Sequence, residues 1–311
     1  MSRYLLGQLL SFVVTLWAVL TLVFVGVRAL PGDAATIVGG IDTTPTQVRA
    51  LRHALGLDRS LPQQYATYWS ELVRGDLGTS LRQQRPVLAI LMQRLPVTAS
   101  LAGLAFLMSL LLGTALGLLA GLRPGGAADR LALALTTVGL ALPEFWFGFL
   151  LILLFAVRLA WFPVVGLPAG GVLAALPGMV LPAVTLALPR AAQIARLTRA
   201  RVLDELSADY VRTARSKGAT PTRTGRHVAA NALPGVVPLL ALELGGLLTG
   251  TIVVEQVFGI PGLGLGILDA ISARDYPVVQ GVAILAVTIY VVVNLLADLT
   301  QLLADPRLRI S

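Results

Sequence analysis

The sequence predicts an all-α membrane protein. It should have six transmembrane helices, a larger external loop subdomain after the first, and a short capped helix in a basic cytoplasmic loop between the fourth and fifth. Three observations carry this. Of 311 residues, 56% are hydrophobic and only 13% charged, against about 25% charged in soluble domains, and the mean hydropathy is +0.81. Apolar stretches close to the roughly 20 residues that cross a hydrocarbon core as a helix recur along the chain. Basic residues gather in the short segments of one side, as cytoplasmic loops do.

The first span is "LLSFVVTLWAVLTLVFVGV", residues 9 to 27, uncharged throughout. It is longer than the 7–15 apolar residues of a secretory signal and runs into Arg28 and "LPGD", so it is expected to stay as an anchor over residues 1 to 29. Residues 30 to 96 come next as an external subdomain. There Thr44-Pro45 supplies a cap and a first-turn proline, and apolar residues at helical spacing predict two short helices. The remaining chain, 97 to 311, should form a core of five spans. The second lies in the 28 uncharged residues between Arg94 and Arg123. The third runs from Leu131 to Val157 with Glu144 inside it. Between Leu159 and Pro189 the chain is charge-free, but Pro163, Pro168 and "AGG" break its first part, leaving a fourth helix over about 173 to 195. The fifth covers about 235 to 254 and the sixth about 279 to 299.

With the N-terminus in the cytoplasm, the inner segments carry Arg3, Arg123, Arg130, the nine basic residues from Arg190 to Arg226, Arg307 and Arg309. The short outer loops, about 159 to 172 and 255 to 278, carry only Arg274. Positive-inside bias therefore places both termini inside. The seven arginines of the external region do not oppose this, because segments beyond about 60 residues cross largely regardless of charge.

The loop over 200 to 233 holds the chain's only lysine, Lys217, in "ADYVRTARSKGATPTRTGRHVAANALP". Ser207 is a good helix cap, Asp209 suits the first turn, Arg215 and Lys217 the last, and Gly218 the left-handed position beyond it. Thr220-Pro221 then opens a second helix. Val211, Ala214 and Gly218 share one thin face of small residues, while Arg212 and Arg215 share another. A loop that only carries charge needs neither caps nor an elbow, so this segment is expected to dock a cytoplasmic partner. Nucleic acid is disfavoured, since Tyr210 stands alone among the interleaved aromatics that stacking would need.

"DYVRTARSKGA" followed by "RHVAANALPGVVP" resembles the coupling loop of ABC-transporter permeases, specifically the dipeptide/oligopeptide and nickel importer branch. "LPGDAA", "LGLDRSLPQQY", "RGDLGTSL" and "RPV" resemble that branch's first external region. "LPEFWFGFLLILLFAVRLAWFP", "VVEQVFGIPGLG", "ARDYPVVQG", "NLLADL" and "DPRLR" resemble its later spans and tail. Against the general Glu-Ala-Ala-x-x-x-Gly motif, Arg212 stands at the Glu, Thr213 and Ala214 at the two Ala and Gly218 at the Gly, and Leu233-Pro234 falls about three residues late. The resemblance implies a permease of an inner (cytoplasmic) membrane importer. Asp209, Tyr210, Val211, Arg212, Thr213, Ala214, Arg215, Lys217 and Gly218 would engage an ATPase subunit. Its partners would be a second homologous permease in a heterodimer, one or two ATPase subunits that bind the ATP and Mg, an extracytoplasmic solute-binding protein and membrane lipid. No cofactor is expected in this chain.

The chain itself shows no catalytic pattern. There is no cysteine and no G-x-x-x-x-G-K-[ST], so thiolate chemistry, thiolate zinc sites and a P-loop are excluded. "GIPGLGLG", 259 to 266, lacks a strand-to-helix context and is expected to be a turn. Intramembrane acids usually face a cavity or a partner. Glu243, in mid-span, is a candidate lining group of the translocation path. Glu144 is either a helix-start acid or a path group, and Glu255 an interfacial or gate-proximal one. These acids are also the one feature that would suit an ion-coupled secondary carrier or channel instead.

Overall fold

The structure is a computed structural model that describes residues 2–29, 44–54, 56–168 and 172–304. In hydrocarbon every backbone N–H and C=O must be bonded within the protein, and the described residues are helical over most of their length. The helices are α1 Ser2–Ala29, α2 Pro45–Ala54, α3 Leu61–Val73, α4 Val87–Leu122, α5 Ala127–Ala141 and α6 Glu144–Leu151, which continues as a π-helix over Ile152–Arg158. They continue as α7 Val172–Leu206, α8 Asp209–Ser216, α9 Pro221–Ala232, a 3₁₀ turn over Leu233–Val236, α10 Val237–Phe258, α11 Leu263–Ser272 and α12 Tyr276–Ala304. "LPGDAA" and "DPRLR" both lie outside the described residues.

Among the described residues four helices are long and apolar enough to cross a membrane, or six if each of two bent pairs is one span. Two expectations change here. The third span is not straight: Asp129–Ala141 and Glu144–Arg158 meet at 107°. Pro143 disfavours the α conformation in the residue before it, and Leu142 is accordingly extended at φ −84, ψ 129. The expected outer loop after the fifth span also contains a helix. Gly259 ends α10 in the left-handed region at φ 61, Pro261 comes next but one, and a separate helix, α11, starts at Leu263. "GIPGLGLG" is thus a turn only at its start, and Leu263 onwards is helical. The two short helices expected after Thr44 are α2 and α3; Gln47 N–H bonds the Thr44 hydroxyl at 3.4 Å and the Gln47 side chain accepts from Thr44 N–H at 2.9 Å, a reciprocal cap.

The chain divides into two compact units. The first comprises Met1–Val97 with Pro261–Val291. Its core gathers Val87, Ile90 and Leu91 of α4 with Leu263 and Ala270 of α11 and Val278, Val279 and Val282 of α12. Phe24 of α1 stacks among Tyr65 and Tyr68 of α3. Asp275 pins the loop before α4, accepting from the Ser80 hydroxyl and from Leu81 N–H.

The second unit comprises Thr98–Ile260 with Val292–Ser311. Its central helix is α7, which packs against α5, α6, α9 and α10. Glycines recur every fourth residue along α4, and a Cβ on Gly113, Gly117 or Gly121 would fall within 2.7 Å of Ile194, Thr198 or Val202 on α7. Small residues at that spacing let two helix backbones approach closely. Asp129 of α5 is clamped by Arg199 of α7 through Nε at 2.6 Å and Nη2 at 3.0 Å, a bidentate geometry.

Candidate functional site

The basic elbow forms as a built structure. α7 ends at Leu206, and Ser207 does not cap the next helix: its Oγ donates back to the Asp204 carbonyl at 2.7 Å. The extended Ala208 is the entry residue of α8 instead, without a side-chain cap. Ser207 is held by closing the preceding helix, which sequence spacing does not reveal. Gly218 takes φ +79 as expected, and Ala219 N–H reaches the Ala214 carbonyl at 3.0 Å. Thr220 caps α9 by accepting from Arg223 N–H, with Pro221 in the first turn.

One residue of the expected partner face turns inward. Val211 is 1% exposed and joins Val202, Val228 and Ala232 in a small core of its own, flanked by Leu118, Leu122 and Leu206. That core holds α8 against α7 and α9, so Val211 positions the helix rather than touching a partner. Tyr210 is partly exposed, and its hydroxyl donates to Glu205 Oε2 at 2.8 Å. Burial first, then Glu205, holds that phenol above its ordinary value. Asp209, Arg212, Thr213, Arg215, Lys217 and Gly218 are exposed, and Ala214 half-buried. Arg212 and Asp209 stand 4.0 Å apart with side chains 84% and 97% exposed, a contact worth little in water. The outer face of α8 is therefore cationic and open to an acidic surface.

The acids inside the helical spans separate into two places. Glu144 begins α6, where the helix dipole favours an acid, and accepts from Arg190 Nη1 at 2.9 Å. Arg190 Nε stands 3.8 Å from Glu243 Oε2. The same guanidinium donates to the Leu186 carbonyl at 2.7 Å and the Gly246 carbonyl at 3.4 Å. Its side chain is 8% exposed, with Glu243 at 9% and Glu144 at 30%. A Cβ on Gly250 would lie 2.6 Å from Arg190 Nη2, so that glycine keeps the space the guanidinium occupies. One cation thus joins α6, α7 and α10 through two carboxylates. Sequence reasoning counted Arg190 among the cytoplasmic loop charges; α7 instead runs to Leu206, leaving Arg190 well inside it. The available signal was its setting, a lone arginine in "LALPRAAQIA".

Glu255 is not part of this cluster. Twelve residues along α10, about 18 Å at 1.5 Å per residue, it is fully buried and accepts from Thr98 Oγ1 at 2.7 Å. Glu255 stands in the last turn of α10, near the outer end the sequence assigned to it as an interfacial or gate-proximal group, and its carboxylate there is enclosed.

Against known proteins, residues 113–310 match the family described as "Binding-protein-dependent transport system inner membrane component", and residues 1–102 match its N-terminal companion. A probable peptide ABC transporter permease protein of Sinorhizobium fredii is 38% identical over 99% of this chain and 100% of its own length. The glutathione transport system permease protein of Escherichia coli K12 is 37% identical over 99% of both chains. Among solved structures, the MetNI methionine ABC transporter in inward-facing conformations superposes with a TM-score of 0.57 at 21% identity, over 70% of this chain and 97% of that one. An amino acid ABC transporter superposes at 0.54 and 18%, over 69% and 94%. At those identities the two structures speak for the fold alone. The full-length sequence match settles the rest: the chain belongs to the binding-protein-dependent transport system inner membrane component family, and is a multi-pass, non-catalytic permease subunit of an ATP-driven importer.

Proposed function

We propose that this chain forms half of a translocation pathway for short peptides and receives the ATPase stroke through α8. The observation that carries the proposal is the elbow itself: a helix fastened by Val211 to its own small core while Arg212, Thr213, Arg215 and Lys217 stay exposed. A packed helix moves as a body when a partner shifts it, and a floppy loop does not. The partner is an ATPase subunit that holds the ATP and Mg. The chain pairs with a second, homologous permease as a heterodimer, and an extracytoplasmic solute-binding protein delivers cargo.

On this reading the chain crosses six times, through α1, α4, the bent α5–α6 pair, α7, α10 and α12, with both termini cytoplasmic and residues 30 to 96 outside. Functionally the chain divides into an anchor over 1 to 29, that external region, and a permease core over 97 to 311. Relatives named for peptide and for glutathione, a tripeptide, favour peptide over nickel as cargo. Glu144 and Glu243 line the path on either side of Arg190, two carboxylates to one guanidinium, while Glu255 anchors α10 internally.

Gly218→Val tests the coupling. A Cβ at Gly218 meets nothing within 4 Å, so packing survives, but a branched residue in the left-handed region costs about 1–2 kcal/mol and re-aims the elbow. Substrate-stimulated ATP hydrolysis should fall at least about tenfold while the subunits still co-purify. Normal stimulation would refute the coupling role, and uptake by this chain alone in proteoliposomes would refute the need for an ATPase.

A further inference from the structure

The first unit contains a polar cavity system that the permease reading does not use. A space of about 170 Å³ is bounded by the end of α1, by α3 and by the start of α12, and an adjoining lobe of about 70 Å³ shares Tyr68, Glu71, Pro277 and Gln280 with it. Several side chains that can donate line the larger space, Arg59, Gln64 and Thr67 among them; three carry the argument, Arg28, Tyr68 and Gln280. Arg28 is held in place, with its Cζ 3.6 Å over the Phe24 ring and its Nε donating to Gln64 Oε1 at 2.9 Å.

The other two donors have no protein partner. Gln280 is 8% exposed, yet its Nε2 is buried without a hydrogen bond, as is Tyr68 Oη. Burial pushes the Tyr68 phenol up to about 12, so this hydroxyl keeps its proton at any physiological pH. Buried donors left unmade are costly and rarely kept without a ligand or ordered water. A single water needs roughly 10–15 Å³ of such space, an order of magnitude less than this cavity offers. Glu71 lines both lobes as well, but it is exposed, and solvent screens its charge.

We propose that this cavity binds a small carboxylate, which accepts from Tyr68 Oη and Gln280 Nε2 beside the Arg28 guanidinium. A carboxylate presents two oxygens with about four acceptor sites and no donor, the complement of these three donors. On the topology proposed above the cavity lies on the external side; binding does not depend on that placement or on the coupling role of α8.

The test uses the full-length chain in nanodiscs, with the subunits that co-purify. Trp69 reports on the cavity, its ring centroid 5.8 Å from that of Tyr68, once Trp17, Trp146 and Trp161 are replaced by phenylalanine. The probes are glycylglycine and its C-terminal amide. Glycylglycine should quench Trp69 saturably, the amide at least tenfold more weakly, and Tyr68→Phe or Gln280→Leu should weaken glycylglycine by a similar factor. Because neither group bonds to protein, neither variant should melt below the parent temperature. Equal response to the amide overturns the proposal. So does no saturable response, the space then holding water only, or variants that melt lower while binding glycylglycine normally.

Discussion

Arg190→Met removes the one cation from a site that holds two carboxylates. At 3.8 Å from Glu243 and an effective dielectric near 20, the gross attraction is about 4 kcal/mol. Desolvation of both ions offsets much of that in the intact protein. Removing one partner is different, because Glu243, 9% exposed, is left as an uncompensated buried acid at a cost of about 3–5 kcal/mol. Membrane insertion scales put a lone charge at mid-helix in the same range, about 2.5–3.5 kcal/mol. At roughly 2 °C per kcal/mol for a chain of this size, the melting temperature of the purified permease should fall by about 6–10 °C. Glu243→Gln in the same background removes the stranded charge and should recover at least about 1.5 kcal/mol, within the coupling seen for residues in one network. Methionine fills much of the arginine stem's volume, so cavity formation does not mimic the effect. Strictly additive losses in the two single variants and the double variant would show that the three residues do not act as one unit.

Two further outcomes concern packing and loop anchoring. Gly117→Ala would place a Cβ 2.5 Å from Thr198 Cβ and 2.6 Å from the Ala195 carbonyl, and overpacking of this kind costs about 1–3 kcal/mol. Gly103→Ala in the same helix meets nothing within 4 Å and should gain up to about 1 kcal/mol of helix propensity; identical melting of the two variants would contradict the close approach of α4 and α7. Asp275→Asn turns a charged acceptor of the Ser80 hydroxyl and the Leu81 N–H into a neutral amide, forfeiting about 1.5–3 kcal/mol. Hydrogen exchange over residues 79 to 86 should speed up by at least tenfold while α4 beyond Thr98 stays protected, and unchanged exchange there would remove Asp275 as the anchor.

Local signals proved legible where they act locally. Thr44-Pro45, Thr220-Pro221 and Gly218 are punctuation that works through φ, ψ and the nearest N–H groups, and each stands where its chemistry placed it. Ser207 misled because two local partners compete for its hydroxyl, the helix behind it and the helix ahead, and only the folded turn shows that Asp204 wins. Pro143 was visible, but hydropathy alone treats a bent pair and a straight span alike, since both are apolar over the same residues.

What the sequence by itself determined is the class: an apolar, cysteine-free chain whose helical spans, charge asymmetry and elbow arise from composition, period and capping chemistry. Tertiary structure alone decided which residues meet. Arg190 lies 46 positions from Glu144 and 53 from Glu243, and Ser80 lies 195 from the Asp275 that accepts from its hydroxyl. Neither hydropathy nor periodicity encodes contacts at such separations. Those contacts arise when glycines let backbones close in and buried polar groups find their partners, an energetic choice made among whole helices rather than along any one of them.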